Sequence, residues 1–127
     1  QALENVIRKV AQDFHGDLIV TENGMAYSET LGEDGEIHDA YRIEYLRDHI
    51  EQLKQMLDEG LPVLGYCPWS FIDVVSSHQG FAKRYGLVFV DRTDTDPKQC
   101  RRVKKDSFYW YQGVIARNGL SDDDTKH

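Results

Sequence analysis

The sequence predicts an α/β crossover fold, and three observations carry that prediction. Segments with apolar residues at helical spacing alternate with short apolar runs in the order helix, strand, helix, strand, helix. The runs at Leu18, Ile19 and Val20 and at Val63 to Tyr66 lack polar alternation, as expected of strands covered on both faces in a parallel sheet. Between them lies a long helix-patterned segment, which parallel neighbours need as a right-handed crossover.

Each element has its own signal. Leu3, Val6, Ile7, Val10 and Phe14 recur at three- and four-residue steps and predict an amphipathic helix over 2–14. The first strand follows at 18–21, with Glu22 just past its C-terminal end. A polar loop then runs to about residue 42, its turns marked by Gly32 and Gly35. Asp39 is placed to N-cap the next helix, whose stripe is Ile43, Leu46, Ile50, Leu53 and Leu57; Gly60 and Pro62 stop it after Glu59. Val63 to Tyr66 form the second buried strand, limited by Pro68. Leu87 to Val90 read as an accessory strand. The last helix is capped by Asp106 or Ser107 and ended by Gly119, and residues 120–127 form a solvated, flexible tail. Two parallel strands with these helices leave sheet edges and faces without partners, so the chain reads as a slice of something larger.

With 127 residues, 40% hydrophobic and 29% charged, the chain has the size and balance of a folded domain. Its net charge of -7 argues against nucleic acid or an anionic membrane as the main partner. Cys67 and Cys100 lack metal-ligand spacing and fit reduced thiols in a cytoplasmic protein. No apolar run approaches the roughly 20 residues of a membrane span. The N-terminus shows neither a signal peptide's apolar core nor an initiator methionine, the look of a cut or processed piece.

The stretch "DLIVTENGM" at 17–25 sets the functional question. A glutamate beyond a strand is commonly a solvated loop residue, and Asn23-Gly24 is a turn pair in its own right. The C-terminal ends of strands in α/β folds are also where catalytic groups are mounted. Taken alone, the stretch leaves both readings open.

Four separated motifs decide between them: "TENG", "HDAYRIEYLRDHIEQLKQML", "GYCPWSFIDVVSSHQGFAKRYGLVFVDR" and "KKDSFYWYQGVIARNG". Over about residues 1–119 their order and spacing resemble the C-terminal portion of glycoside hydrolase family 1, and within it the bacterial 6-phospho-β-glucosidases. The resemblance implies an eight-stranded (β/α) TIM barrel, with residues 1–127 as a C-terminal segment of the catalytic domain carrying about its seventh and eighth strands. It also implies hydrolysis of 6-phospho-β-glucosides with retention, a cytoplasmic location, and no metal or cofactor.

The site residues follow from the same resemblance. Glu22 matches the catalytic nucleophile. Retention needs a second carboxyl group about 5 Å away as acid and base, and the family's asparagine-glutamate-proline motif is absent, so the isolated chain is expected to be inactive. Trp69 matches the sugar platform, an indole face suiting the C–H side of a pyranose. Ser76, Lys83 and Tyr85 match the phosphate-binding trio, where hydroxyls donate and an ammonium neutralises charge. Ser77, small where the galactosidase branch carries tryptophan, points to the gluco epimer. His78 receives no role, and Arg84 is read as a solvated bystander. Two other readings remain open: a sugar-phosphate-binding module without catalysis, and an oligomerising piece. Self-association of the fragment through its sheet edges is expected.

Overall fold

The apolar spacing of the N-terminal segment produces helix α1 (Ala2–Asp13) in a computed structural model that describes residues 2–124. Strand β1 (Leu18–Asn23), helix α2 (Ala40–Asp58) and strand β2 (Val63–Pro68) follow. A hairpin of β3 (Val88–Asp91) and β4 (Arg101–Lys104) precedes helix α3 (Asp106–Arg117).

β1 and β2 pair in parallel, with Leu18 opposite Val63, Val20 opposite Tyr66 and Asn23 opposite Pro68. The expected crossover through α2 is therefore present. Its helix ends as the sequence predicts: Gly60 takes φ 88°, which only a residue without Cβ adopts at low cost. Ile7, Leu53, Met56 and Val63 form one core cluster, with Leu18, Val20 and Tyr66 packed against it. Helices α1 and α2 thus cover one face of the sheet. Each fully buried side chain of this kind stabilises by about 1.5–3 kcal/mol. Arg8 on α1 donates to Glu59 beyond α2 at 2.5 and 2.9 Å, tying the middle of α1 to the C-terminal end of α2.

Several expectations are corrected. The strands are covered on one face only: Ile19 is 58% and Leu64 72% exposed, because among the described residues nothing packs on the side away from the helices. β1 runs through Glu22 to Asn23 rather than stopping before the glutamate. On α2 the buried stripe is Arg42, Leu46, Leu53 and Met56, one residue round from the expected one, which leaves Leu57 half exposed. Only Ile7 of α1 is buried, and Val6, Val10 and Phe14 face outward.

The cap assignments change as well. Asp39 does not cap its own helix with its side chain. Its carboxylate accepts from the Ser107 backbone N–H at 2.8 Å and the Ser107 hydroxyl at 2.6 Å, and so satisfies the first turn of α3. Lys105, not Asp106 or Ser107, is the N-cap residue of α3, and left-handed Asn118 rather than Gly119 closes it. The accessory strand at 87–90 is the most deeply buried run of the chain, and it pairs antiparallel with β4, which the sequence reading did not include. In the tail region, Asp124 accepts from the Trp110 indole at 2.8 Å and the Ser121 hydroxyl at 2.6 Å; residues 125–127 lie outside the described residues.

Candidate active site

The C-terminal ends of β1 and β2 are stitched together by their backbones. The Trp69 N–H donates to the Asn23 carbonyl at 2.6 Å, immediately beyond Glu22. One residue on, the Ser70 N–H donates to the Tyr85 carbonyl at 3.1 Å, and Arg84 exchanges two backbone bonds of 3.0 Å with Tyr27. Glu22, Trp69 and the 83–85 strip therefore belong to one hydrogen-bonded rim. The Trp69–Ser70 peptide is cis. Gly24 lies so close that a Cβ there would overlap the Trp69 carbonyl, which is why this position takes glycine.

Asn23 is clamped from two sides. Its carboxamide oxygen accepts from the Tyr66 hydroxyl at 2.6 Å, and its nitrogen donates to the Tyr45 hydroxyl at 3.3 Å. Burial raises the Tyr66 hydroxyl well above its ordinary value, so it stays a neutral donor. The residue beside Glu22 is thus held by α2 and β2 while Glu22 itself is exposed. Trp69 is 40% exposed at the end of β2.

Ser76 and Ser77 sit in a tight turn closed by backbone bonds between Ser76 and Gly80. The Ser76 oxygen accepts from the N–H groups of His78 and Gln79 at 3.3 and 3.4 Å, which leaves its own proton to donate elsewhere. Ser77 lies 3.0 Å from the His78 ring nitrogen, and both are exposed. Among the described residues no bond joins this turn to Lys83 or Tyr85, and the Lys83 and Tyr85 side chains make no ion pair or hydrogen bond.

Arg84 is not a bystander. It is 6% exposed and donates to Asp73 at 3.0 Å, to the Val90 carbonyl at 2.8 Å and to the Arg92 carbonyl at 2.7 Å, over the Phe89 ring at 4.1 Å. It ends a chain of buried charges that the sequence reading missed. Lys105 bridges Glu29 at 2.5 Å and Asp73 at 3.0 Å, and Glu29 in turn pairs with Arg42 and accepts from Tyr41 at 2.5 Å. Arg42 also lies 3.4 Å from Asp39. Arg42, Arg84 and Lys105 balance Glu29, Asp39 and Asp73, so the buried cluster is neutral. Glu29 is therefore committed to structure.

Elsewhere, Asp34, Glu36 and His38 lie close enough to share a metal ion, and all three are exposed. His38 is engaged by Asp34 at 2.8 Å and Asp106 at 2.7 Å. No helix among the described residues is long and apolar enough to cross a membrane.

Comparison with known proteins adds the following. The profile of glycosyl hydrolase family 1 matches residues 1–120. An aryl-phospho-β-D-glucosidase, BglC of Bacillus subtilis, is 44% identical over 91% of this chain and 24% of its own length. A 6-phospho-β-glucosidase, AscB of Escherichia coli, is 46% identical over 80% of this chain and 22% of its own. A family 1 β-glucosidase structure from Thermotoga maritima, a TIM barrel, superimposes with a TM-score of 0.85 at 38% identity, over 94% of this chain and 26% of that one. The chain thus spans about a quarter of the length of the relatives it matches.

Proposed function

Because this chain belongs to glycosyl hydrolase family 1, we propose that residues 1–127 form the C-terminal segment of a TIM-barrel enzyme, carrying its seventh and eighth strands. The enzyme hydrolyses the β-glucosidic bond of 6-phospho-β-glucosides with retention. Its phosphorylated substrates, which do not cross membranes freely, make it cytoplasmic.

In this reading the Glu22 carboxylate attacks the anomeric carbon as the glycosidic C–O bond breaks. The leaving oxygen takes a proton from a carboxyl group supplied outside this chain. Water, deprotonated by that same group, then displaces Glu22 from the covalent intermediate. Trp69 provides the apolar floor for the sugar, and Ser77 leaves room for the gluco epimer. Ser76, Lys83 and Tyr85 hold the 6-phosphate.

The observation that carries the reading is the contrast between neighbouring cations. Arg84 spends its donors inside the fold, whereas Lys83, on the rim that also holds Glu22 and Trp69, spends none among the described residues. An ammonium that forms no ion pair within the fold is available to a phosphate. The phospho-glucosidase relatives at 44–46% identity point the same way.

The test uses the complete gene product. It should hydrolyse a chromogenic 6-phospho-β-glucoside far better than the unphosphorylated glucoside, releasing the β-anomer first by NMR. Lys83→Ala should reduce that preference by roughly 10- to 100-fold, since a charge-assisted bond contributes about 1.5–3 kcal/mol. Equal preference in both proteins would place the phosphate elsewhere.

A further inference from the structure

We propose that Arg84 is a positioning residue for phosphate recognition: its buried guanidinium is the anchor that makes Lys83 and Tyr85 emerge together on the ligand side. The inference rests on the phosphate site proposed above and adds a residue that would not itself touch the ligand.

Arg84 is held at both ends. Its side chain makes three bonds of 2.7–3.0 Å and stacks on Phe89, while its backbone N–H and carbonyl both pair with Tyr27. Alternate residues of locally extended chain point to opposite sides. Arg84 is buried at its bridge to Tyr27, and Lys83 and Tyr85 on either side of it are part-exposed. Two positions apart on a chain held at Arg84, an ammonium and a phenol can both reach one phosphate.

The acceptor of that anchor is itself fixed. Asp73 takes Arg84 and the Val90 N–H on one oxygen and the Gly86 N–H and Lys105 on the other. It belongs to the segment that continues from Trp69, so the anchor refers the phosphate ligands to the same frame as the sugar platform. Lysine at position 84 would keep the charge but lose the forked geometry that reaches Asp73 and two carbonyls at once.

The experiment compares Arg84→Lys with wild type in the complete gene product. Expected results are a tenfold or greater rise in KM for the phosphorylated chromogenic glucoside and a matching rise in the inhibition constant of glucose 6-phosphate. kcat, turnover of the plain glucoside and inhibition by glucose should stay within about threefold. Parallel losses on both substrates that track a lowered Tm would mean a merely structural role and overturn the inference. Should Arg84→Lys fail to fold, Phe89→Leu loosens the guanidinium more gently and must shift the phosphorylated substrate selectively, or the inference falls. Lys83→Ala separates the two proposals. If it abolishes the phosphate preference while both anchor variants leave it intact, the site stands and the anchoring role is wrong. If it has no effect, the phosphate site itself is wrong, and the anchoring role falls with it.

Discussion

Replacing Lys105 by methionine tests whether the buried charge cluster holds the fold together. The ammonium is fully buried and bridges Glu29 and Asp73, each almost fully buried as well. The methionine fills similar volume but leaves both carboxylates short of one cationic partner. Glu29 keeps Arg42 and Tyr41, and Asp73 keeps Arg84 with two backbone donors. Two charge-assisted bonds at about 1.5–3 kcal/mol each set the scale. Removing one member of a buried pair costs about 3–5 kcal/mol, since the remaining charge stays desolvated. The control is Lys54→Met, whose pairing with Asp58 is exposed on both sides and worth about 0.3–0.5 kcal/mol. Urea denaturation reads the difference. At about 1–3 kcal/mol per molar, Lys105→Met should lower the midpoint by at least ~1 M while Lys54→Met hardly moves it. Adding Glu29→Gln to Lys105→Met should cost less than the two single changes summed, because it removes a stranded charge. A Lys105→Met protein as stable as Lys54→Met would refute the reasoning.

Three further outcomes are expected. Glu22→Gln in the complete enzyme should lower kcat by several orders of magnitude, since the amide cannot form the covalent intermediate; retention of a tenth of the rate would remove Glu22 from the nucleophile's role. His38 is raised to about 9, by the Asp34 bond first and by Asp106 second, so the tie it makes to the start of α3 is fully present below about 6.5 and lost as pH rises through 9. An NMR titration of its ring protons should give that midpoint, and one near 6.5 would show the bridge to be absent. The isolated chain should self-associate, because Ile19, Leu64 and Phe71 are exposed and, among the described residues, no further strand pairs with either edge of the β1–β2 sheet; a monomer of 14.7 kDa across concentrations in sedimentation equilibrium would contradict this.

The crossover was legible because apolar runs and helical spacing are local properties. What they could not convey is how many faces of a strand are covered. Ile19 and Leu64 look like core residues in sequence, yet their burial depends on neighbours outside their own elements. β4 was invisible for a similar reason: "RRVK" has no strand signal of its own and is extended because β3 pairs with it. Arg42 carried a usable clue, standing one turn before Leu46 on the buried stripe, where a cation calls for a buried carboxylate. Asp39 reads as a cap in the sequence, but the helix its side chain serves begins far along the chain, and only the tertiary fold brings Ser107 to it. Lys83 and Arg84 are indistinguishable by type or position in "AKRYG"; the difference lies in which one the local chain turns inward.

The close approach of Gly24 to the Trp69 carbonyl bears on how such barrels can be recombined. No side chain fits at position 24 without pushing the tryptophan's backbone aside. The two segments are therefore a single heritable unit, although α2 separates them in the chain. A chimera whose crossover falls between residues 24 and 69 joins two halves shaped by different parents, and the misfit would appear at the rim that carries Glu22 and Trp69. Crossovers placed before β1 or after β2 and its loop keep both halves from one parent and leave that fit undisturbed.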